Sequence, residues 1–383
     1  MCVDKKYPQY IDFSRGTKMN FARTEDFFRV FHPRVKGPGN IVLRRKIGRS
    51  KVESQISTTD LEMVSRHACG LEDIYFSTAA FSGKTLLLNF SRSNCLHLQV
   101  PKTVWNTNIL LTLRLEMHGI PLPTATTFDG ENFTLLWILD TPIENNEFHI
   151  YTMLQQGLYE TAKEFNPSIS NLDIAFTTRM VGSINGNNKQ HVGLVSDYGK
   201  TYSRRYLEDA ILKSMTAFEY RKMQVQAGTT LELMSLLGER WFSASQYPEL
   251  FNDWIIFFGS SLCNFCTPDQ LFNELCAVAE SLEGQSWKKI SEKYLELINS
   301  VISTAKDGYI KFDGVHLSIN EENWRDLIKG KLCITSNEQE HLNLQVLGNQ
   351  STVSPHLHLT NKVYYPFGHT EFVPIERLLL KSA

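Results

Sequence analysis

Little in this sequence points to a specialised environment. Seven cysteines lie at positions 2, 69, 95, 263, 266, 276 and 333, an odd and dispersed set that fits reduced thiols and argues against a disulfide framework. Cys263 and Cys266 form a close pair with no second pair to complete a zinc site. His356 and His358 could supply two further ligands, though nothing in the sequence brings them near. No uncharged apolar run approaches the roughly 18 residues that a membrane span needs. The polar start, Met1-Cys2-Val3-Asp4-Lys5, lacks the apolar stretch of a secretory leader. A cytoplasmic chain without membrane contact is expected. Charge of one sign is not in excess either. With 39 Lys+Arg against 41 Asp+Glu the net charge is −2, so the surface as a whole is no general trap for nucleic acid.

Charge is nevertheless concentrated locally. Arg34, Lys36, Arg44, Arg45, Lys46, Arg49 and Lys51 follow one another with no acid between them, a stretch able to neutralise several phosphates or simply to form a solvated face. Lys200, Tyr202, Arg204, Arg205 and Tyr206 interleave bases with aromatics, a mixture that grips phosphates and stacks on nucleobases, or opens a charged helix.

At 383 residues there is room for two domains. Residues 74–76, 86–88, 95–100 and 133–139 read as short strands, with helical patterns at 106–117 and 147–165. Beyond about residue 205 the pattern turns helical. Residues 207–226 read as one helix. Thr267, Pro268 and Gln270 offer a cap, a first-turn proline and a capping box. Trp287, Ile290, Tyr294, Leu297 and Val301 form one apolar stripe, and Thr335 and Glu338 open a helix containing Leu342 and Val346. The expectation is an α+β domain over residues 1–205 and a mainly helical domain over 206–383.

Three segments, in order, resemble the archaeo-eukaryotic primase family as found in plasmid replication proteins. They are residues 74–81 followed by 96–100, then Gly119–Thr124 followed by Asp129–Trp137, then Asp173–Arg179 running into Val181–Asn185 and Lys189. A fourth, Leu332–Glu338, is similar to a segment of the helical domain that follows such primases. The resemblance implies a primase-like domain with an RRM-type core. It also implies a nucleotidyl-transfer cleft in which two acids stand two residues apart on one strand and a third follows later.

At those positions the chain carries His97 and Gln99 in place of the first two acids, and Asp173 as the third. Thr134 stands where the resemblance implies a nucleotide-phosphate histidine, Asp129 where a serine is usual, Asn132 for a second glycine beside Gly130, and Phe176 for a first arginine. Nucleotidyl transfer needs two hard cations held by carboxylates, and one carboxylate cannot gather both. The resemblance therefore implies a catalytically inactive, DNA-binding replication protein of a plasmid or mobile element. Its expected partners are origin or single-stranded DNA and host replication proteins, and no cofactor is expected. Arg179, Asn185 and Lys189 are the expected phosphate contacts, joined by Arg44, Arg45, Lys46, Arg49, Arg204 and Arg205, with Asp173 the one candidate metal ligand. Trp137 reads as a core residue and His97 as a hydrogen-bonded interior histidine.

Other readings stay open at this point. Asp73, Glu116, Asp129 or Asp140 could rebuild a site for magnesium or manganese and make the chain an active primase or polymerase. His356 and His358 with Tyr364 or Tyr365 resemble a strand-nicking centre, although the tyrosines follow too closely. A module of a mobile element that keeps only protein contacts, as a regulator, is the remaining class.

Overall fold

The computed structural model describes residues 39–47, 50–56, 68–197, 200–240, 250–283, 292–305, 309–312, 315–318, 323–347 and 371–372. Arg34, Lys36, Arg49, Trp287, Ile290, His356, His358, Tyr364 and Tyr365 lie outside the described residues, as do the side chains of Lys46 and Lys51.

The elements follow in the order β1 (Asn40–Ile47), β2 (Ser50–Ile56), β3 (Ile74–Phe81), β4 (Phe90–Pro101), α1 (Thr107–Met117), β5 (Ala125–Phe128), β6 (Asn132–Glu144), α2 (Phe148–Thr161), β7 (Thr177–Arg179), β8 (Gly193–Asp197) and β9 (Thr201–Tyr202). Then come α3 (Arg204–Ile211), α4 (Ala217–Glu239), α5 (Phe251–Leu262), α6 (Pro268–Glu283), α7 (Glu292–Ala305), β10 (Tyr309–Phe312), β11 (Val315–Ser318), α8 (Asn323–Lys331), α9 (Ser336–His341) and β12 (Glu371–Phe372). The chain is α+β, with a mainly antiparallel sheet and a helical C-terminal part. Sheet order is β12-β2-β1-β3-β4-β6-β5-β8, with β7 paired to β3 and β9 to β6.

Both faces of the central strands are buried. On one, Leu96, Leu98 and Val100 of β4 and Phe133, Leu135, Trp137 and Leu139 of β6 pack with α2 and the C-terminal helices. On the other, Cys95, Leu136 and Ile138 join Ile41, Leu43, Ile74, Phe76, Met180 and Val181. Burial on both faces is why β6 reads as a nearly continuous apolar run, whereas β4 alternates Leu96, Leu98 and Val100 with the polar His97 and Gln99. Trp137 fills the first core, its indole N–H donating to the Pro121 carbonyl at 2.9 Å.

β3 and β4 pair only between Ala79–Phe81 and Phe90–Ser93, then part, and β3 takes β7 as its neighbour through Tyr75–Ser77. The freed edge of β4 is sealed by two fully buried amide side chains. Gln155 accepts from the His97 N–H (3.2 Å) and donates to its carbonyl (3.0 Å); Asn171 does the same for Gln99 at 2.7 and 2.8 Å. Each acts as a surrogate peptide group, so no buried backbone polar atom of these two residues is left unpaired.

Four readings of the sequence need correction. Residues 86–88 form a tight 3-10 turn (Leu87–Asn89), not a strand. Residues 207–226 are not one helix: α3 ends at Ile211, and Thr216 with Glu219 closes a capping box that starts α4. At α6 the Thr267 hydroxyl accepts from the Gln270 N–H at 3.4 Å, but the Gln270 side chain turns to Glu274 and leaves the box open. The Thr335–Glu338 box forms as expected, yet its helix stops at His341, before Val346.

The C-terminal helices share one continuous core with the sheet, so packing does not break at residue 205. Two carboxylates bridge the halves. Glu274 of α6, fully buried, accepts from the backbone N–H groups of Leu87 and Leu88 at 2.5 and 3.2 Å. Asp173 accepts from both the backbone N–H and the hydroxyl of Thr267.

Candidate functional site

The residues singled out on the N-terminal half divide into two groups. The first surrounds the parting of β3 and β4. His97 is fully buried. Its Nδ1 lies 3.2 Å from the Tyr151 hydroxyl and 3.4 Å from that of Thr78, and its ring stacks on Phe176 with centroids 3.7 Å apart. Burial pushes its pKa down to about 3, so the imidazole is neutral and committed to internal bonds. Gln99 donates to the Thr134 hydroxyl at 3.3 Å, which also accepts from Thr178 at 3.3 Å. Sequence positions two apart do share one face here, but that face is neutral and closed by Phe176 and Thr178.

Asp173 is turned to Thr267. Both carboxylate oxygens are engaged by Thr267, at 2.9 and 2.8 Å, and burial raises its pKa to about 6 despite those bonds. It is a carboxylate across the interface of the two halves, supplying the bond to the Thr267 N–H that Gln270 does not. Among the described residues no group of three His, Cys, Asp or Glu side chains could hold a metal ion.

The second group centres on Arg179, at the end of β7. Its guanidinium lies between two carboxylates, with Nη1 2.5 Å from Asp129 Oδ2 and Nε 3.4 Å from Asp73 Oδ1, and over the Tyr75 ring at 5.0 Å. Burial alone would lower the Arg179 pKa; Tyr75, Asp129 and Asp73 outweigh it and raise the value. Each acid is held by its own turn. Asp129 opens the β5–β6 hairpin, its other oxygen accepting from the N–H groups of Glu131 and Asn132 at 3.0 and 2.7 Å. Gly130 follows with φ +93, a conformation that favours glycine. Asp73 itself has φ +52 and accepts from the Gly186 N–H at 3.0 Å. A Cβ on Gly186 would lie 2.2 Å from the Asp73 carboxylate, so only glycine allows this approach.

Around this centre Asn185, fully buried, donates to the Asp129 carbonyl at 2.9 Å. It shapes the hairpin and is not a surface contact. Lys189 stays exposed and pairs with Glu72 at 2.8 Å. Arg45 is buried; burial lowers its pKa, and Glu72 and Asp73 oppose that shift. Arg44 donates to the Thr85 hydroxyl at 2.7 Å. Arg204 holds Glu147 with two bonds, at 2.7 and 3.0 Å, and Glu208 with a third. Arg205 and Tyr206 are exposed, and Tyr206 stacks on Tyr202. Several expected phosphate contacts, Arg45, Arg179 and Arg204 above all, are thus engaged internally. The sequence concealed most of this because the partners, Glu208 apart, lie far away along the chain.

The four acids open to rebuilding a metal site divide in the same way. Glu116 is exposed on α1, and Asp140 accepts from the Arg204 backbone N–H at 3.3 Å. Asp73 and Asp129 do converge, but on a guanidinium.

The structural neighbours of this chain are archaeo-eukaryotic primases, and a curated relative is a replication protein. The replication protein is from Clostridium perfringens and is 23% identical over 160 residues, which is 39% of this chain and 38% of that protein. The chain thus matches well under half the length of this relative. Primase RepB′ aligns at a TM-score of 0.35 and 10% identity, over 81% of this chain and 99% of that one. The primase-polymerase domain of cyanophage S-2L aligns at a TM-score of 0.35 and 14% identity, over 45% of this chain and 89% of its own. The catalytic domain of RepB′ in complex with initiator DNA aligns at 0.34 and 11% identity, over 50% and 95%. No family model matches.

Proposed function

We propose that this chain is a DNA-binding replication protein of a plasmid or similar mobile element, whose primase-like module does not carry out nucleotidyl transfer. The observation behind the non-catalytic reading is Arg179 seated between Asp73 and Asp129. Two carboxylates that converge in a nucleotidyl-transfer site would hold a cation; here a side chain of this chain is that cation. A dication brought to ~4 Å from the guanidinium would meet a repulsion of ~8 kcal/mol at an effective dielectric constant of about 20, which cancels about half of the attraction that the two carboxylates would supply. His97 and Gln99 add no charge to offset it. The replication reading is supported by the Clostridium perfringens relative. For DNA contact, Arg205, Tyr206 and Lys189 are the exposed groups best suited to phosphate and base.

The test is a paired assay on the full chain. Binding to single-stranded and duplex DNA, followed by fluorescence anisotropy over a salt series, should weaken steadily as salt rises. Primer extension with labelled nucleotide should give no product with magnesium or manganese. Incorporation lost on Asp129→Asn would overturn the non-catalytic part. Failure to bind any DNA at low salt would remove the DNA-binding part and leave a module that contacts only proteins.

A further inference from the structure

Three of the four aromatic side chains that stand exposed among the described residues fall in one stretch of chain. They are Tyr206 on α3 and Phe218 and Tyr220 at the start of α4, at 51%, 77% and 36% exposure. Basic residues alternate with them. Residues 200–222 hold six lysines and arginines against three acids, in a chain whose net charge is −2. The fold also engages most of the acids at this corner. Glu219 closes the capping box with Thr216, and Arg204 holds Glu208 and Glu147. Arg205, Arg221 and Lys222 are exposed, with Asp209 the exposed acid of α3.

Two aromatic positions here have a cation beside them. Tyr206 follows Arg205 and stacks on Tyr202, with centroids 6.4 Å apart and planes 18° from parallel. Tyr202 is fixed in turn, its hydroxyl donating to the Leu122 carbonyl at 2.5 Å, so Tyr206 rests on a held ring. Phe218 shares one face of α4 with Arg221 and Lys222, at spacings of three and four residues. Tyr220 belongs to the other side of the helix, where it meets His149 edge to face at 5.9 Å.

We propose that this corner is the contact surface for single-stranded DNA, with Tyr206 and Phe218 as stacking seats for bases and Arg205, Arg221 and Lys222 as phosphate contacts. The inference rests on the DNA-binding reading and gives it a surface and a form of DNA. Phe218 has no polar atom, so among these cations it can bond neither a phosphate nor a base edge; what it offers is a flat apolar face. An apolar protein partner would have to strip water from the neighbouring charges to reach that face. Unpaired bases bring flat faces with phosphates alongside, whereas in a duplex those faces are taken by neighbouring bases.

Fluorescence anisotropy of the full chain with labelled oligo(dT), and with a duplex of mixed sequence, tests the surface. Tyr206→Ala and Phe218→Ala should each weaken oligo(dT) binding about tenfold and leave duplex binding within about twofold. Phe218→Tyr should bind as the wild type does. Arg221→Gln with Lys222→Gln should flatten the logarithmic salt dependence by about 0.7 for each residue. Thermal unfolding of the variants should match the wild type, since none of these side chains is in the core. Iododeoxyuridine placed in the strand should crosslink under light to Tyr206 or Phe218. If the wild type binds no DNA, the DNA-binding reading falls and takes this surface with it. If it binds and neither alanine substitution matters, the reading stands and the surface is wrong. An equal loss on single strands and duplex would overturn the stacking role.

Discussion

Asp173 and Thr267, 94 residues apart, are joined by two hydrogen bonds that fasten the start of α6 to the sheet domain. Burial raises the Asp173 pKa from 3.8 to about 6, so the folded chain holds this proton more tightly than the unfolded one. The group's contribution to stability is then greatest below about pH 4 and is lost as pH climbs through about 6. Asp173→Asn keeps the shape and removes the titration. Urea midpoints of the two proteins should nearly coincide at about pH 3.5 and separate in favour of Asn as pH rises, by up to ~3 kcal/mol from about pH 6 upward. A wild type that gains on Asn as pH rises would show that the ionised carboxylate is the preferred form.

Arg179→Met leaves Asp73 and Asp129 facing each other without their cation. Breaking a partly buried ion pair of this kind costs about 3–5 kcal/mol, and the melting temperature should fall accordingly. Manganese should then recover part of the loss in Arg179→Met and do nothing for the wild type. An equal manganese shift in both proteins would mean that the metal binds elsewhere.

His149, on the first turn of α2, is buried with neither ring nitrogen hydrogen-bonded among the described residues, and burial lowers its pKa to about 4. The unfolded chain takes up a proton below about 6.5 and the folded chain resists it, so stability is lost as pH falls from that point toward 4. Replacing an unsatisfied polar group by an apolar one of similar shape is neutral or stabilising. His149→Phe should therefore unfold no earlier than the wild type at neutral pH, and its advantage should widen at about pH 5. An unfolding midpoint well below the wild type at both pH values would mean that the imidazole has a partner.

Glu232 of α4 accepts from three successive backbone N–H groups, those of Gln345, Val346 and Leu347, each at 2.6 Å. Glu232→Ala strands three buried donors and should cost ~3 kcal/mol or more. Hydrogen exchange should speed up first at residues 345–347. Uniform acceleration along the chain would instead point to a general loss of stability.

How much of this was readable beforehand depends on range. β4 and α1 were legible because their apolar residues recur at strand and helix spacing, and β6 because it is a nearly continuous apolar run. The Thr335–Glu338 box was legible because its two halves are three residues apart. The break between α3 and α4 is announced by the same signal at Thr216 and Glu219, against apolar residues on either side that suggest continuity. The composition of the cleft, neutral at 97 and 99, was plain in the sequence. What filled it was not. Asp129 and Arg179 are 50 residues apart, and Asp73 and Arg179 are 106; no local pattern marks such partners, so Arg179 read as a group waiting for phosphate. Gln155 and Asn171 were invisible for the same reason, since an amide that imitates a neighbouring strand has no signature in its own segment.

The Glu274 bridge to Leu87 and Leu88 bears on any attempt to divide the protein. A cut near residue 205, where the sequence changes character, would strip the sheet of its cover and uncap two amides in its interior. Neither fragment would find water an adequate substitute, and the halves should be recovered in soluble form only when produced together. The change along the chain near residue 205 is one of composition; in the packing, the two parts share one core.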